Sequence, residues 1–226
     1  MAIHAPEDGS RTRPSARAVE PFESQGERRR AQLVAIAAQI FRAAGSESVT
    51  HAAVAEHAGV GRTAVYKYFP TRDHLLAAIV TAYDKIWVPQ ISADAAIEGF
   101  SALRTANLRR IPPATRRLLD AVWAQENWTE PRLELRLATV ALQRDHEFVA
   151  RFATVEPELA AKRDRMFTDP LTQLGLTETE IAIVTDAVFA AEYHATRAAL
   201  AGLVDREGAI RLSYRMNVAA FRAYLA

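Results

Sequence analysis

From Leu33 onward the large apolar residues of this chain recur at intervals of three and four, the period of one helix face. No segment alternates apolar with polar residues as a half-buried strand does, no glycine-rich phosphate loop appears, and no internal repeat is visible. A chain patterned in this way buries its apolar stripes by laying helix against helix, so the expected class is all-α.

Glycine and proline divide the pattern. Leu33, Ile36, Ala37, Ile40, Phe41 and Ala44 form one stripe that closes at Gly45. Thr50 caps a second helix with Ala53, Val54 and Ala58 inward, and "AGVG" at 58–61 turns the chain. A third short helix spans about 62–68 and Pro70 stops it. Thr71 caps a fourth, whose Leu75, Leu76, Ile79, Tyr83, Ile86 and Trp87 run on to Pro89.

Further helices are expected at about 93–110, 114–128, 131–153 and 156–173, separated by "IPP" at 111–113, "TEP" at 129–131 and "EP" at 156–157. "TDP" at 168–170 is expected to bend or split the helix it falls in. Thr177 and Glu180 make a capping box inside a Leu176/Ile181 hydrophobic staple. From there Ile181, Val184, Val188, Ala191, Ala195, Ala198 and Gly202 step by three and four, and a last helix at about 207–225 presents Ile210, Tyr214, Phe221 and Tyr224.

With 226 residues, half of them hydrophobic, the chain can bury a sizeable core. It has no cysteine, which excludes disulfides, thiolate metal sites and cysteine nucleophiles. The first 21 residues lack the apolar centre of a signal peptide, and no run approaches the roughly 18 apolar residues of a membrane span, so a cytoplasmic protein with no membrane partner is expected. Residues 1–26, rich in Pro, Ser, Gly, Arg and Glu, are expected to be a disordered arm. Charge is uneven: residues 28–75 carry seven basic and three acidic side chains, whereas residues 76–226 carry 18 and 19. That is the signature of a small basic module on a nearly neutral body.

Helix, glycine turn and short second helix at 50–69 form a helix-turn-helix, in which the first helix braces across the DNA backbone and the second enters the major groove. Val54, Ala58, Val60 and Val65 suit a small core while Arg62, Thr63 and Lys67 stay outside. Arginine and lysine donate to guanine O6 and N7, and threonine offers a hydroxyl and a methyl. The hydroxyls of Thr50, Tyr66 and Tyr68 and the charge of Arg72 suit phosphate oxygens, which fix register without reading sequence.

These residues resemble the DNA-binding domain of TetR-type (TetR/AcrR) transcriptional regulators. "IFRAAG" followed by "VTHAAVAEHAGVGRTAVYKYFPTRDHLLAAIV" matches that family's pattern in order and spacing over residues 27–87, about a quarter of the chain. The resemblance implies a three-helix DNA-binding domain at 27–87 and a helical effector-binding and dimerisation body at 88–226. It implies a recognition segment at 61–67, which includes Gly61 and Ala64, and phosphate contacts at Thr50, His51, Tyr66, Tyr68 and Arg72. It also implies a homodimer on double-stranded DNA that lets go when a small molecule binds. Gly61 stands where serine is common in the family, and Ala52 where some members carry arginine; these differences bear on the operator.

Two other classes compete. An enzyme would have to use His51, His57, His74, His146 or His194, yet no HExxH or repeated ExxH spacing places two metal ligands on one helix face. No catalytic residue, metal or cofactor is therefore expected. The second alternative is a helical ligand-binding or scaffold protein without sequence-specific DNA binding.

Within the body, Phe100, Trp123, Trp128, Phe148, Phe152, Phe189 and Tyr193 are the candidate lining of an effector pocket, oriented by Gln125, Asn127, Gln143 and His194. The effector is expected to be apolar, aromatic or polycyclic. The small stripe of Val188, Ala191, Ala195, Ala198 and Gly202, with Tyr214 and Phe221 beside it, is the candidate dimer interface. A two-fold dimer would match an inverted-repeat operator.

Overall fold

The computed structural model describes residues 24–87, 92–104, 106 and 108–225. Of the arm expected at 1–26, all but residues 24–26 lies outside the described residues. Those three belong to the start of the first helix, α1 (Gln25–Ala44), and its cap. Ser24 Oγ accepts from the Glu27 N–H at 3.2 Å and the Glu27 carboxylate accepts from the Ser24 N–H at 2.7 Å, a capping box that starts the helix inside the expected arm. Its far end is Gly45, whose φ of +80° is open only to glycine at low cost.

The next three helices are α2 (His51–His57), α3 (Arg62–Tyr68) and α4 (Arg72–Trp87). The body follows with α5 (Ala93–Arg104), α6 (Pro113–Val122), α7 (Glu130–Leu142), α8 (His146–Val155), α9 (Pro157–Met166), α10 (Thr168–Gln173), α11 (Glu178–Leu200) and α12 (Arg206–Leu225). No β-strand occurs among the described residues, and none of their helices is long and apolar enough to cross a membrane.

Four expected helices are shorter or divided, and the one at 93–110 ends at Arg104. The one at 114–128 ends at Val122, and residues 125–127 form a single 3₁₀ turn. The one at 131–153 is two, because Asp145 Oδ1 accepts from the Phe148 N–H at 3.0 Å and restarts the helix there. The one at 156–173 divides at Phe167, just ahead of Asp169–Pro170. At Thr177 the capping box forms as its sequence implies, with both reciprocal bonds present.

Two apolar clusters hold the chain together. The first joins Leu33, Val34, Ala37 and Ile40 of α1 to Val49, Val54, Val65, Phe69 and the Leu75–Val80 stretch of α4. It also contains Ala138 and Leu142 of α7 and Phe148 and Phe152 of α8. The second fills the body, from Tyr83 and Phe100 through Trp123, Met166 and Val188 to Tyr214 and Phe221. A boundary drawn at residue 87 thus divides the sequence but not the packing. Helix α4 gives Leu75–Val80 to one cluster and Tyr83 to the other, and α7 likewise serves both with Leu142 and Leu133. Each such side chain contributes about 1.5–3 kcal/mol on burial, so the two clusters resist being parted at this seam.

Candidate nucleic-acid interface and effector cavity

The helix-turn-helix is built from its caps inward. Thr50 Oγ1 accepts from the Ala53 N–H at 3.1 Å and starts α2. Gly59 takes φ +63° and the Val60 N–H reaches the Ala55 carbonyl at 3.0 Å, which ends α2 and aims α3 across it. Val54 and Val65 are fully buried where the two helices meet. That fixes the outward face: Arg62, Thr63, Tyr66 and Lys67 are exposed, and Ala64 and Tyr68 are half-buried. A short helix with a cationic, hydroxyl-bearing outer face is the shape that a major groove admits.

Two residues expected at the phosphates are engaged in contacts within the fold. His51 is buried, its Nε2 lies 2.7 Å from the Phe69 carbonyl oxygen, and its ring stacks on Tyr66 with centroids 4.0 Å apart. Its ring thereby supports the exposed ring of Tyr66. Arg72 donates to the carbonyls of Ser46 at 2.6 Å and Val49 at 3.2 Å and pairs with Glu47 at 3.3 Å. Its guanidinium ties α4 to the segment before α2, adding a second donor to the Ser46 carbonyl, which also accepts from the Val49 N–H at 3.0 Å.

Sequence reasoning passed over one part of this face. A shallow groove beside the recognition helix is lined by Gln25, Arg28, Arg29, Gln32, Lys67 and Tyr68. It sets two arginines of α1 next to Lys67 and extends the cationic surface beyond the helix-turn-helix. The charge count over residues 28–75 contained that signal, but only the fold brings Arg28 to Lys67. Arg30 is held back from this surface, with its guanidinium 5.3 Å from the centroid of the Phe69 ring.

In the body, a cavity of about 70 Å³ lies among Tyr83, Phe100, Leu119, Arg136, Val188 and Phe189, with Glu192 and Asn217 also on its wall. Phe100 and Phe189 thus line it as the sequence suggests. The other expected lining residues do not. Trp123 is buried behind the wall with Trp128 against it, at a centroid distance of 6.0 Å. Phe148 and Phe152 belong to the other cluster, under the DNA-binding helices. Tyr193 faces a separate groove beside Phe41, Arg42 and Arg197. Gln125 and His194 are exposed. Aromatic residues at helical spacing served as core here, since an aromatic stripe signals burial and not what it is buried against.

The wall of this cavity carries a polar network. Arg136 donates to the Tyr83 phenol, to Glu192, to Thr196 Oγ1 at 3.0 Å and to the Val122 carbonyl at 2.8 Å, and its guanidinium lies 3.8 Å from the Trp123 ring centroid. Glu192 accepts a second bond, from Ser213. Burial pushes the Tyr83 phenol up to about 12, so it is a neutral hydroxyl here.

The stripe expected to join two subunits turns inward instead. Val188, Ala191, Ala195, Tyr214 and Phe221 are buried within a single chain, and four of them lie in the body cluster. Ala198 is half-buried, and Gly202 lies exposed in the turn after α11 with φ +68°. The small residues let α11 approach α12 of its own chain, so the close approach that they favour is already used.

A glycine-turned helix pair with a cationic second helix, joined by one long helix to an all-helical body with a cavity, is the arrangement of a helix-turn-helix DNA-binding domain carried on a helical body. Residues 33–79 match the family model of the bacterial regulatory proteins, tetR family, so this N-terminal segment is similar to the DNA-binding domain of that family. Among solved structures it is similar to a TetR-like transcriptional regulator from a Rhodococcus species, with 17% identity, 86% of this chain and 94% of that one covered, and a TM-score of 0.51. It is also similar to the TetR family transcriptional regulator PfmR from Thermus thermophilus, at 17% identity, 84% and 97% coverage and a TM-score of 0.44. The first of these shows a shared fold over most of both chains. No curated protein matches the chain.

Proposed function

We propose that the protein is a ligand-responsive repressor that binds an inverted-repeat operator as a homodimer and is released by a mainly apolar small molecule. The observation that carries this reading is the continuity of α4. It begins four residues after the recognition helix α3 ends, and its Tyr83 forms part of the cavity wall. Arg62, Thr63 and Lys67 read bases in this scheme, and Thr50, Tyr66 and Tyr68 with Arg28 and Arg29 hold phosphates.

Release follows from size. A cavity of roughly 150 Å³ is what holds benzene in an apolar protein interior, about twice the space present here. An aromatic effector therefore binds only a conformer whose wall has opened, and a polycyclic one needs a larger opening still. Because Tyr83 is in that wall, opening displaces α4 and with it α3. A ligand that prefers the opened conformer shifts the population away from the DNA-binding one.

The homodimer in this reading uses the outward faces of α11 and α12 and the turn between them, where Ile183 and Leu203 are exposed. Two-fold symmetry then sets the recognition helices about 34–36 Å apart, or a multiple of that. Selection of bound fragments from genomic DNA tests the whole: an inverted repeat is expected, and recovery of no preferred sequence overturns the reading. Light scattering on the free protein checks the dimer.

A further inference from the structure

Four buried side-chain atoms lack a hydrogen-bond partner among the described residues: Trp123 Nε1, Asn127 Nδ2, Thr139 Oγ1 and Asn217 Oδ1. Three of these belong to residues away from the cavity, but Asn217 stands on its wall. The residue is 6% exposed and sits one turn after Ser213 on α12, on the wall that also holds Glu192 and Arg136. An amide left unpaired in an apolar enclosure is costly, and natural interiors satisfy such groups with a neighbour, a water or a ligand. Donors close to it are directed elsewhere, and none reaches Asn217 Oδ1. Ser213 is spent on Glu192, and Arg136 on Tyr83, Glu192, Thr196 and the Val122 carbonyl. Thr115, also on the wall, donates to the Gly99 carbonyl at 3.1 Å.

Charge narrows the occupant further. The two ionic groups on the wall, Arg136 and Glu192, neutralise each other through a direct bond. A charged ligand would bring an unpaired charge into a space otherwise walled by Phe100, Leu119, Val188 and Phe189. We propose that the effector is an uncharged, mainly apolar small molecule carrying one hydrogen-bond donor, an amide N–H or a hydroxyl, and that it donates to Asn217 Oδ1. This rests on the reading of the cavity as the effector site. It makes Asn217 the residue that orients the ligand, with the aromatic walls supplying contact area.

Calorimetric titration of the full chain with benzamide, benzoate and toluene tests the assignment, since the three share a ring and differ in charge and donor. The wild type is expected to bind benzamide about ten-fold more tightly than toluene, the ratio that one satisfied amide supplies, with benzoate weakest. Asn217→Leu, of similar volume, is expected to remove that preference while still binding toluene. A ratio unchanged by the substitution overturns the proposal and assigns the amide to water. Tightest binding of benzoate overturns it too, in favour of an anion held by Arg136.

Should Asn217→Leu fail to fold, the side-chain amide resonances of Asn217 in the wild type give the answer. They are expected to shift with benzamide and stay with toluene, and equal shifts overturn the proposal. If none of the three probes binds the wild type, the cavity reading falls as a whole. DNA selection by the wild type is independent of all these outcomes, so the two failures are separable.

Discussion

Arg136 of α7 donates a hydrogen bond to the phenol of Tyr83 on α4, and its charge is met by Glu192 of α11. One side chain thereby ties together the helix that leads from the DNA-binding domain, the helix shared by both apolar clusters and a long helix of the body. In the proposed mechanism, any opening of the cavity at Tyr83 has to strain or break this junction.

Removing one partner of the buried pair should be far worse than removing both. Arg136→Met leaves Glu192 buried without a counter-charge and is expected to lower stability by about 3–5 kcal/mol. Adding Glu192→Leu should restore much of that loss. Urea unfolding of the two variants and the wild type measures it, and a double variant no better than the single one contradicts the pairing.

The Tyr83 phenol gives a pH signature. Its folded value is raised to about 12 by burial, against about 10 for a free phenol. A raised acid favours the folded state fully below the unfolded value, and that contribution is lost as pH climbs from about 10 toward 12. Alkaline absorbance titration should show one late-ionising tyrosine, which Tyr83→Phe removes.

His51 should act on DNA only through Tyr66. The stacked rings predict that His51→Ala and Tyr66→Ala each weaken operator binding, and that the double variant is little worse than Tyr66→Ala alone. The coupling should be about 0.5–3 kcal/mol, read from a double-mutant cycle of affinities. Additive losses would restore a direct phosphate contact for His51.

The cationic residues should separate into three behaviours. Arg62→Ala or Lys67→Ala is expected to cost about 1–3 kcal/mol on the selected operator and to relax preference at one base pair. Arg28→Ala should weaken all sequences alike and reduce the salt slope by about one unit. Arg72→Ala should instead lower the melting temperature, because the bonds that tie α4 to the Ser46 and Val49 carbonyls are lost. An Arg72 variant with unchanged melting and a flattened salt slope would return it to the phosphates.

Wherever the deciding forces were local, the sequence was sufficient. Helical period set the class, Thr50 and Thr177 set their caps through neighbours three residues on, and Gly45 and Gly59 marked turns that need positive φ. The outward set Arg62, Thr63 and Lys67 followed from the inward Val65, since a helix seven residues long has only two faces to assign.

What only the tertiary structure decided involves partners far apart in the chain. Periodicity shows that Val188, Ala195, Tyr214 and Phe221 need covering, but not whether their own chain or a second one covers them. Asp145 interrupts a helix without breaking the apolar period across it. Arg136 and Glu192 are 56 residues apart and meet only because α7 and α11 cross, so no local pattern could announce them. The same holds for His51 under Tyr66, Arg72 on its two carbonyls, and the unpaired Asn217 in the cavity wall. Each is a polar group whose role is set by which neighbours the packed helices bring within hydrogen-bonding distance.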